Sequence, residues 1–385
     1  MTDEKPLTVM VSAGEASGDA HAAHAIAALN DQGVSFSGFG MGADQLQTVG
    51  IELIVDCRDL AVIGIVDVLI NYPRFMKRLA RLRDAMRQRR PDVLLLVDYP
   101  DFNLKLAETA RELGIPVLFY ISPKVWAWRA GRVKRISRLV NHMAVLFPFE
   151  VEIYQKAGVA VSYVGNPVVA DAVSPYSRDE ACHHFGLDSS RPVISLLPGS
   201  RTGEINRNLP AMLATARLVA QQRPECQFIL PVAPTLEQTF INDSIGDQAP
   251  DGLCVVKGES RNVMRSSDVA LVASGTATLE TALMGTPMVV MYIINRLNYA
   301  IMKRLISIPD ISLVNIVAGR RIVPEYVQDA ATPEAMADDV LSLLQDDARR
   351  QTMLNDLHTL KINMGDSGAS ERVAELILKL AVRTP

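Results

Sequence analysis

The chain alternates short apolar runs with amphipathic stretches at helical spacing, and it does so twice. The first series has runs near 7–12, 34–39, 93–98, 116–121, 143–147 and 161–164; the second has runs near 193–197, 227–231, 253–256, 269–273 and 287–291. Val93-Leu94-Leu95-Leu96-Val97 and Pro116-Val117-Leu118-Phe119-Tyr120 are continuous rather than alternating, as in parallel strands covered by helices on both faces. The pattern lapses after Asn166-Pro167 into the polar stretch 174–180 and restarts at Val193; from about 332 it reads as helix. It predicts an α/β protein of two Rossmann-like, doubly wound parallel-sheet domains, 1–168 and 169–365, with a C-terminal helix in 366–385 packing back on the first. Two such domains are expected to face a cleft at the carboxyl ends of their strands, where open α/β sheets bind ligands.

Composition narrows the function. A length of 385 residues suits two domains rather than one core. A net charge of −4 offers no general attraction to nucleic acid, so any basic surface is local. The start, Met1-Thr2-Asp3-Glu4-Lys5-Pro6, lacks an apolar signal core, and no run reaches the ~20 residues of a membrane span. A cytoplasmic location follows as the expectation. Cys57, Cys182, Cys226 and Cys254 are scattered without a C-x-x-C pair, so free structural thiols and no metal site are expected.

One segment departs from this acidic background. Residues 60–70 are almost wholly apolar, and Arg74, Lys77, Arg78, Arg81, Arg83, Arg87, Arg89 and Arg90 follow against the single acid Asp84. An apolar stretch joined to a basic helix suits an anionic membrane surface met from the side. Ile63, Ile65, Val66, Leu69, Arg78 and Arg81 are the expected contacts; the alternative is a solvated helix covering the sheet.

Chemistry-bearing residues cluster at strand ends. Two glycine turns, Leu197-Pro198-Gly199-Ser200-Arg201 and Ala273-Ser274-Gly275-Thr276, each follow an apolar run and open a helix. A helix N-terminus carries partial positive charge and unpaired N–H groups, so such turns hold phosphates. Arg201 adds a cation suited to a pyrophosphate, and Glu280 a ribose acceptor. In the first domain, Ser12-Ala13-Gly14-Glu15-Ala16-Ser17-Gly18-Asp19 ends the first run; Asp19 reads either as a helix cap or as a working group, whereas a cap does not require Glu15. Asp98 closes the run 93–97, where partial desolvation raises a carboxyl toward general-base range; an ordinary strand-end turn is the alternative, with Asp101 and Asn103 as turn residues. Trp126 and Trp128 follow the next run and either pack on a sugar or acyl chain or fill the gap between sheet and helix. Gly38-Phe39-Gly40-Met41-Gly42-Ala43 fits a dinucleotide fingerprint in letters but follows the second strand, so close packing explains it better.

With these pieces in place the chain resembles the lipid-A-disaccharide synthases, inverting glycosyltransferases of the two-Rossmann-domain (GT-B) type. The motifs that carry the resemblance are Gly14-Glu15-x-Ser17-Gly18-Asp19, Asp98-x-Pro100-Asp101-Phe102-Asn103, Ser122-Pro123-x-Val125-Trp126-Ala127-Trp128, Leu197-Pro198-Gly199-Ser200-Arg201, Ala273-Ser274-Gly275-Thr276-Ala277-x-Leu279-Glu280 and Ser312-Leu313-x-Asn315-x-x-Ala318-Gly319-Arg320. One departure is Asn166, where many family members carry histidine, so no role of that histidine carries over. The resemblance implies transfer of diacylglucosamine from UDP-2,3-diacylglucosamine to 2,3-diacylglucosamine 1-phosphate, giving a β-1,6 disaccharide and UDP at the inner membrane. It implies Asp98 or Glu15 as base, and Gly199, Ser200, Arg201, Ser274, Gly275, Thr276, Glu280 and Asn315 around the UDP donor. Ser17, Asp19, Trp126 and Trp128 would lie on the acceptor and lipid side. No cofactor is implied, because the UDP-sugar is itself a substrate. The rival expectations are a UDP-sugar epimerase on the same scaffold and a non-catalytic lipid- or nucleotide-binding protein.

Overall fold

The computed structural model describes residues 6–60, 65–126, 131–296, 299 and 310–381; within these, the side chains of 59–60 and 65–72 are not described. The chain forms two compact units, Met1–Pro167 with Asp366–Pro385, and Val168–Gly365.

The first unit holds a parallel sheet of β1 (Leu7–Ala13), β2 (Phe36–Gly42), β3 (Ile51–Asp56), β4 (Val93–Val97), β5 (Val117–Tyr120), β6 (His142–Val145) and β7 (Val161–Tyr163), ordered β3-β2-β1-β4-β5-β6-β7. Every residue of β4 and β5 is buried, because helices cover both faces as their continuous apolar runs require. One face packs Met10, Phe39, Leu94, Leu96 and Phe119 against Leu79, Leu82 and Met86 of the helix Ile65–Arg89 and Leu106 of the helix Pro100–Glu112. The other packs Val9, Val11, Leu95 and Leu118 against Ile26 and Leu29 of the helix Ala16–Asp31 and Val373 and Ile377 of the helix Ala369–Ala381. This last helix is also fastened where Arg372 Nε donates to the Val164 carbonyl at 2.7 Å.

The second unit repeats the plan with β8 (Val193–Leu197), β9 (Gln227–Val232), β10 (Cys254–Lys257), β11 (Val269–Ala273), β12 (Met288–Tyr292) and β13 (Glu325–Val327), all parallel, ordered β10-β9-β8-β11-β12-β13. The two doubly wound sheets are those the apolar runs predict. Two edge strands, β3 and β13, were not among the predicted runs. β3 is largely half-exposed and β13 is only three residues long, so neither shows a buried apolar run. Gly38, Gly40 and Gly42 lie inside β2 rather than in a turn before a helix, as close packing and not a dinucleotide loop requires.

Strand order reverses between β1 and β4 in one unit and between β8 and β11 in the other. In open α/β sheets these topological switch points are where the strand ends splay and ligands bind.

Candidate active site

In the first unit, the turns after β1 and β4 flank the switch point and carry Glu15 and Asp98. Glu15 is exposed in extended backbone immediately before the helix Ala16–Asp31. Asp98 and Tyr99 are consecutive non-glycine residues in the left-handed region, with φ 47° and 45°. Each costs on the order of 1–2 kcal/mol, so the fold must hold them there. Asn103, wholly buried, does so: Nδ2 donates to the carbonyls of Asp98 (2.7 Å), Val97 (3.2 Å) and Ser12 (3.2 Å), and Oδ1 accepts from Ser12 Oγ at 2.7 Å. One amide thus joins the ends of β1 and β4. Gly14 completes the join, since a Cβ there would lie 2.3 Å from the Tyr99 ring.

Burial pushes the Asp98 carboxyl above its ordinary range, and the negative charge of Glu15 adds to this; the Tyr99 amide and Lys124 pull the other way. Glu15 and Lys124 therefore each lie within electrostatic reach of Asp98. The same burial and Glu15 charge, with Asp101, raise the Tyr99 hydroxyl. Asp101 itself is exposed and paired with Arg132 at 2.6 Å.

Other first-unit candidates have different surroundings. Ser17 is exposed. Asp19 is 2% exposed, and its carboxylate accepts the amides of Ala43 (2.6 Å), Gln45 (3.0 Å) and Leu46 (3.4 Å). It does not cap the helix that contains it, as the cap reading supposed, but fastens the turn after β2. Trp126 donates its indole N–H to Glu150 at 3.2 Å; Trp128 lies outside the described residues.

In the second unit, the two glycine turns flank the β8/β11 switch point, and only one is open. Gly199 has φ 115°, and a Cβ there would meet the Glu204 side chain at 2.5 Å. Glu204, third residue of the helix Thr202–Gln222, reaches back so that its carboxylate accepts the amides of Ser200 (3.1 Å) and Arg201 (3.3 Å) and Arg201 Nη1 (3.1 Å). This corrects the expectation of a bare phosphate cradle after β8: a glutamate one turn on already satisfies two of its amides. The Arg201 side chain itself is 82% exposed. Asn208, wholly buried on the same helix, donates to the Pro198 carbonyl (3.1 Å) and accepts the Ile293 amide (3.0 Å), joining the ends of β8 and β12. The second turn differs. Ser274 Oγ is spent on the Ile311 carbonyl at 3.1 Å, while Thr276 is exposed at the first position of the helix Thr276–Leu283, where geometry gives the amides no carbonyl one turn back. Glu280 on that helix pairs with Arg261 at 3.3 Å.

Asn315 is the clearest correction. Expected near a diphosphate, it is wholly buried and saturated: Nδ2 donates to the Val323 carbonyl (3.1 Å) and Glu325 Oε2 (3.0 Å), while Oδ1 accepts the amides of Ile322 (2.9 Å) and Val323 (3.1 Å). Nothing remains for a ligand. Glu325, which sequence reasoning missed, also accepts the Ile311 and Ser312 amides and Ser312 Oγ, so the pair knits β13 to the segment 311–323.

Of the expected membrane contacts, Ile63 and the side chains of Ile65, Val66 and Leu69 lie outside the described residues. Arg78 is half-buried and Arg81 exposed. Much of the basic run is committed within the unit: Arg83 donates to the Lys105 carbonyl at 2.7 Å, Arg87 pairs with Asp84 at 3.1 Å, and Arg89 forks onto Glu52 at 2.6 and 2.7 Å while its guanidinium lies 4.8 Å over Phe39. Among the described residues no helix is long and apolar enough to cross a membrane.

Two doubly wound parallel units, each with a topological switch point, define the GT-B-type fold. The fold recurs in MurG of Acinetobacter baumannii (TM-score 0.58, 16% identity, 97% of this chain and 100% of that one) and in UDP-GlcNAc 2-epimerase of Neisseria meningitidis, solved bound to UDP-GlcNAc (TM-score 0.61, 15% identity, 98% and 100%). Residues 9–379 match the family model for lipid-A-disaccharide synthetase, and the lipid-A-disaccharide synthase of Syntrophus aciditrophicus is 44% identical over 374 residues, 97% of each chain. The chain belongs to the lipid-A-disaccharide synthase family.

Proposed function

We propose that the chain transfers 2,3-diacylglucosamine from UDP-2,3-diacylglucosamine to the 6-hydroxyl of 2,3-diacylglucosamine 1-phosphate, with inversion, releasing UDP and a β-1,6 disaccharide. The observation that carries the division of labour is the raised Asp98 carboxyl at the first unit's switch point. A carboxylate with a lifted proton affinity, held in strained backbone, is suited to accept the proton of a sugar hydroxyl as it attacks the anomeric carbon. Glu15 sustains that affinity; Asp98 is the base.

The donor half belongs to the second unit. Charge builds on the departing diphosphate as the sugar takes on oxocarbenium character. Because Glu204 holds the amides after Gly199, the stabilising groups are the exposed Arg201 guanidinium and the first-turn amides at Thr276. Glu280 receives the ribose, with Arg261 as its partner in the free protein. UDP-sugar serves as substrate, so no separate cofactor enters this scheme. Both sugars carry acyl chains, and each buried CH₂ is worth about 0.8 kcal/mol, which keeps them in a bilayer. The exposed Lys77 and Arg81 then meet the anionic surface from the cytoplasmic side.

The test supplies both acylated sugars in mixed micelles and identifies the products. A β-1,6 disaccharide formed in step with UDP is expected. Epimerised UDP-sugar without acceptor, or vesicle binding with no product, would replace this reading by one of its rivals.

A further inference from the structure

One buried carboxylate has no part in that scheme. Glu150, third residue of the helix Pro148–Lys156 after β6, is 2% exposed. Its Oε2 accepts the Phe147 amide at 3.2 Å, which closes the first turn of the helix. Its Oε1 accepts the Trp126 indole N–H at 3.2 Å, a bond no helix cap needs. The carboxylate therefore ties the turn after β5 to the turn after β6, on the same edge of the sheet as Asp98. Half-buried Trp126 stands edge-on to Phe149, with ring centroids 5.4 Å apart, and Phe149 stacks on Phe147 at 5.6 Å. Lys124, two residues before Trp126 in the turn after β5, is close enough to act on the Asp98 charge.

We propose that Glu150 is a positioning residue for acceptor binding: its carboxylate fixes the Trp126 indole at the strand ends, where the aromatic group packs on the acylated acceptor sugar. This rests on the acceptor reading of the first unit given above.

The tether depends on protonation. Indole and amide N–H groups only donate, so an ionised Glu150 satisfies both, whereas a protonated one turns an oxygen into a donor and leaves an N–H short of an acceptor. Burial pushes the Glu150 carboxyl up to about 7, against hydrogen bonds from Ser122, Phe147 and Trp126 that hold it down. The titratable groups facing it are Tyr154 on its own helix, raised by burial and hydrogen-bonded to Ser122 at 2.7 Å, and beyond Tyr154 Arg132, which pairs with Asp101. The indole is held at alkaline pH and released at acid pH.

The experiment uses the full chain carrying Trp128→Phe, which leaves Trp126 as the only indole. Its fluorescence is titrated across neutrality without substrate, and the acceptor KM and kcat of the chain with Trp128 intact are measured over the same range. Emission is expected to shift to longer wavelength as pH falls through about 7, with acceptor KM rising about fivefold, the equivalent of one hydrogen bond. Glu150→Gln, which presents the donor and acceptor set of the protonated acid at every pH, is expected to show the acid-form emission and the raised KM throughout with no transition near neutrality, while the acid limb of kcat persists. A flat titration, or the same transition in Glu150→Gln, overturns the tether; a fluorescence transition with unmoved acceptor KM overturns the positioning role. Should Glu150→Gln fail to fold, Trp126→Phe keeps a ring without the N–H and is expected to show the raised KM at every pH; a parental KM overturns the proposal. Absence of any turnover with acylated sugars would remove the functional reading instead, and the titration would still decide the tether.

Discussion

Asn103 holds the backbone of Asp98: its Nδ2 donates to the Asp98 carbonyl at 2.7 Å while its Oδ1 receives the Ser12 hydroxyl from the neighbouring strand. The bond spans the switch point of the first unit and keeps Asp98 at φ 47°. Asn103→Ala is expected to cost roughly 2–4 kcal/mol in urea unfolding, because it orphans several buried partners at once. Asn103→Asp should be worse, since it sets a carboxylate against three carbonyl oxygens. A change below about 0.5 kcal/mol, the level of a neutral surface substitution, would mean that the turn holds itself.

The Glu15 charge contributes to the raised Asp98 carboxyl, so Glu15→Gln lowers it. In the proposed role Asp98 accepts a proton and must be ionised, so kcat is expected to fall as pH drops through its pKa. The acid limb of the pH–kcat profile is therefore expected to move to lower pH in Glu15→Gln and to higher pH in Lys124→Met. Limbs that stay in place would show that Asp98 does not set the profile. The same shift has a stability sign. A carboxyl raised in the fold binds its proton more tightly there than in the unfolded chain, so its contribution is present at acid pH and lost as pH rises through the folded pKa. Asp98→Asn is accordingly expected to melt no lower than the parent at neutral pH, measured by calorimetry.

Arg201 and Glu204 separate binding from folding. The Arg201 side chain is mostly in solvent, so Arg201→Ala should leave the melting temperature unchanged and weaken UDP about tenfold or more, as lost charged hydrogen bonds do. Glu204→Ala removes the cap from the helix Thr202–Gln222 and is expected to cost about 1 kcal/mol. Calorimetry and UDP titration on the two variants distinguish these roles; reversed outcomes would make Arg201 structural.

The basic run of the helix Ile65–Arg89 divides in the same way. Lys77→Glu with Arg81→Glu is expected to weaken association with anionic vesicles, most at low salt, without loss of stability. Arg89→Glu faces Glu52 and Phe39 and should destabilise the unit instead. Equal vesicle binding by the double variant and its parent would make this helix a solvated cover for the sheet.

Buried strands and the glycine turns were legible in the sequence because both are local signals: β4 and β5 announce themselves as continuous apolar runs. The edge strands β3 and β13 were not: β3 carries Glu52 and Asp56 among its apolar residues, and β13 is only Glu325-Tyr326-Val327, set by its partner β12. What each polar side chain bonds is less legible still. Asp19 fastens residues 43–46, Asn315 meets Glu325, and Asn208 meets Ile293, all pairings the topology creates across tens of residues or a folded loop. Glu204 was nearer to hand, as a glutamate at the third helical position is a capping signal, but the arginine at the cap position hid it. Asp98 stands out in the sequence because a carboxylate at the end of a buried strand is itself a local pattern.

Acceptor-dependent UDP release, compared between the parent chain and Asp98→Asn at equal UDP-sugar occupancy, decides whether Asp98 takes the acceptor's proton. The parent is expected to release UDP only when diacylglucosamine 1-phosphate is present, and Asp98→Asn to bind UDP as tightly while turning over roughly 10²–10⁴ times more slowly. Release without acceptor, or parental turnover in Asp98→Asn, would contradict it.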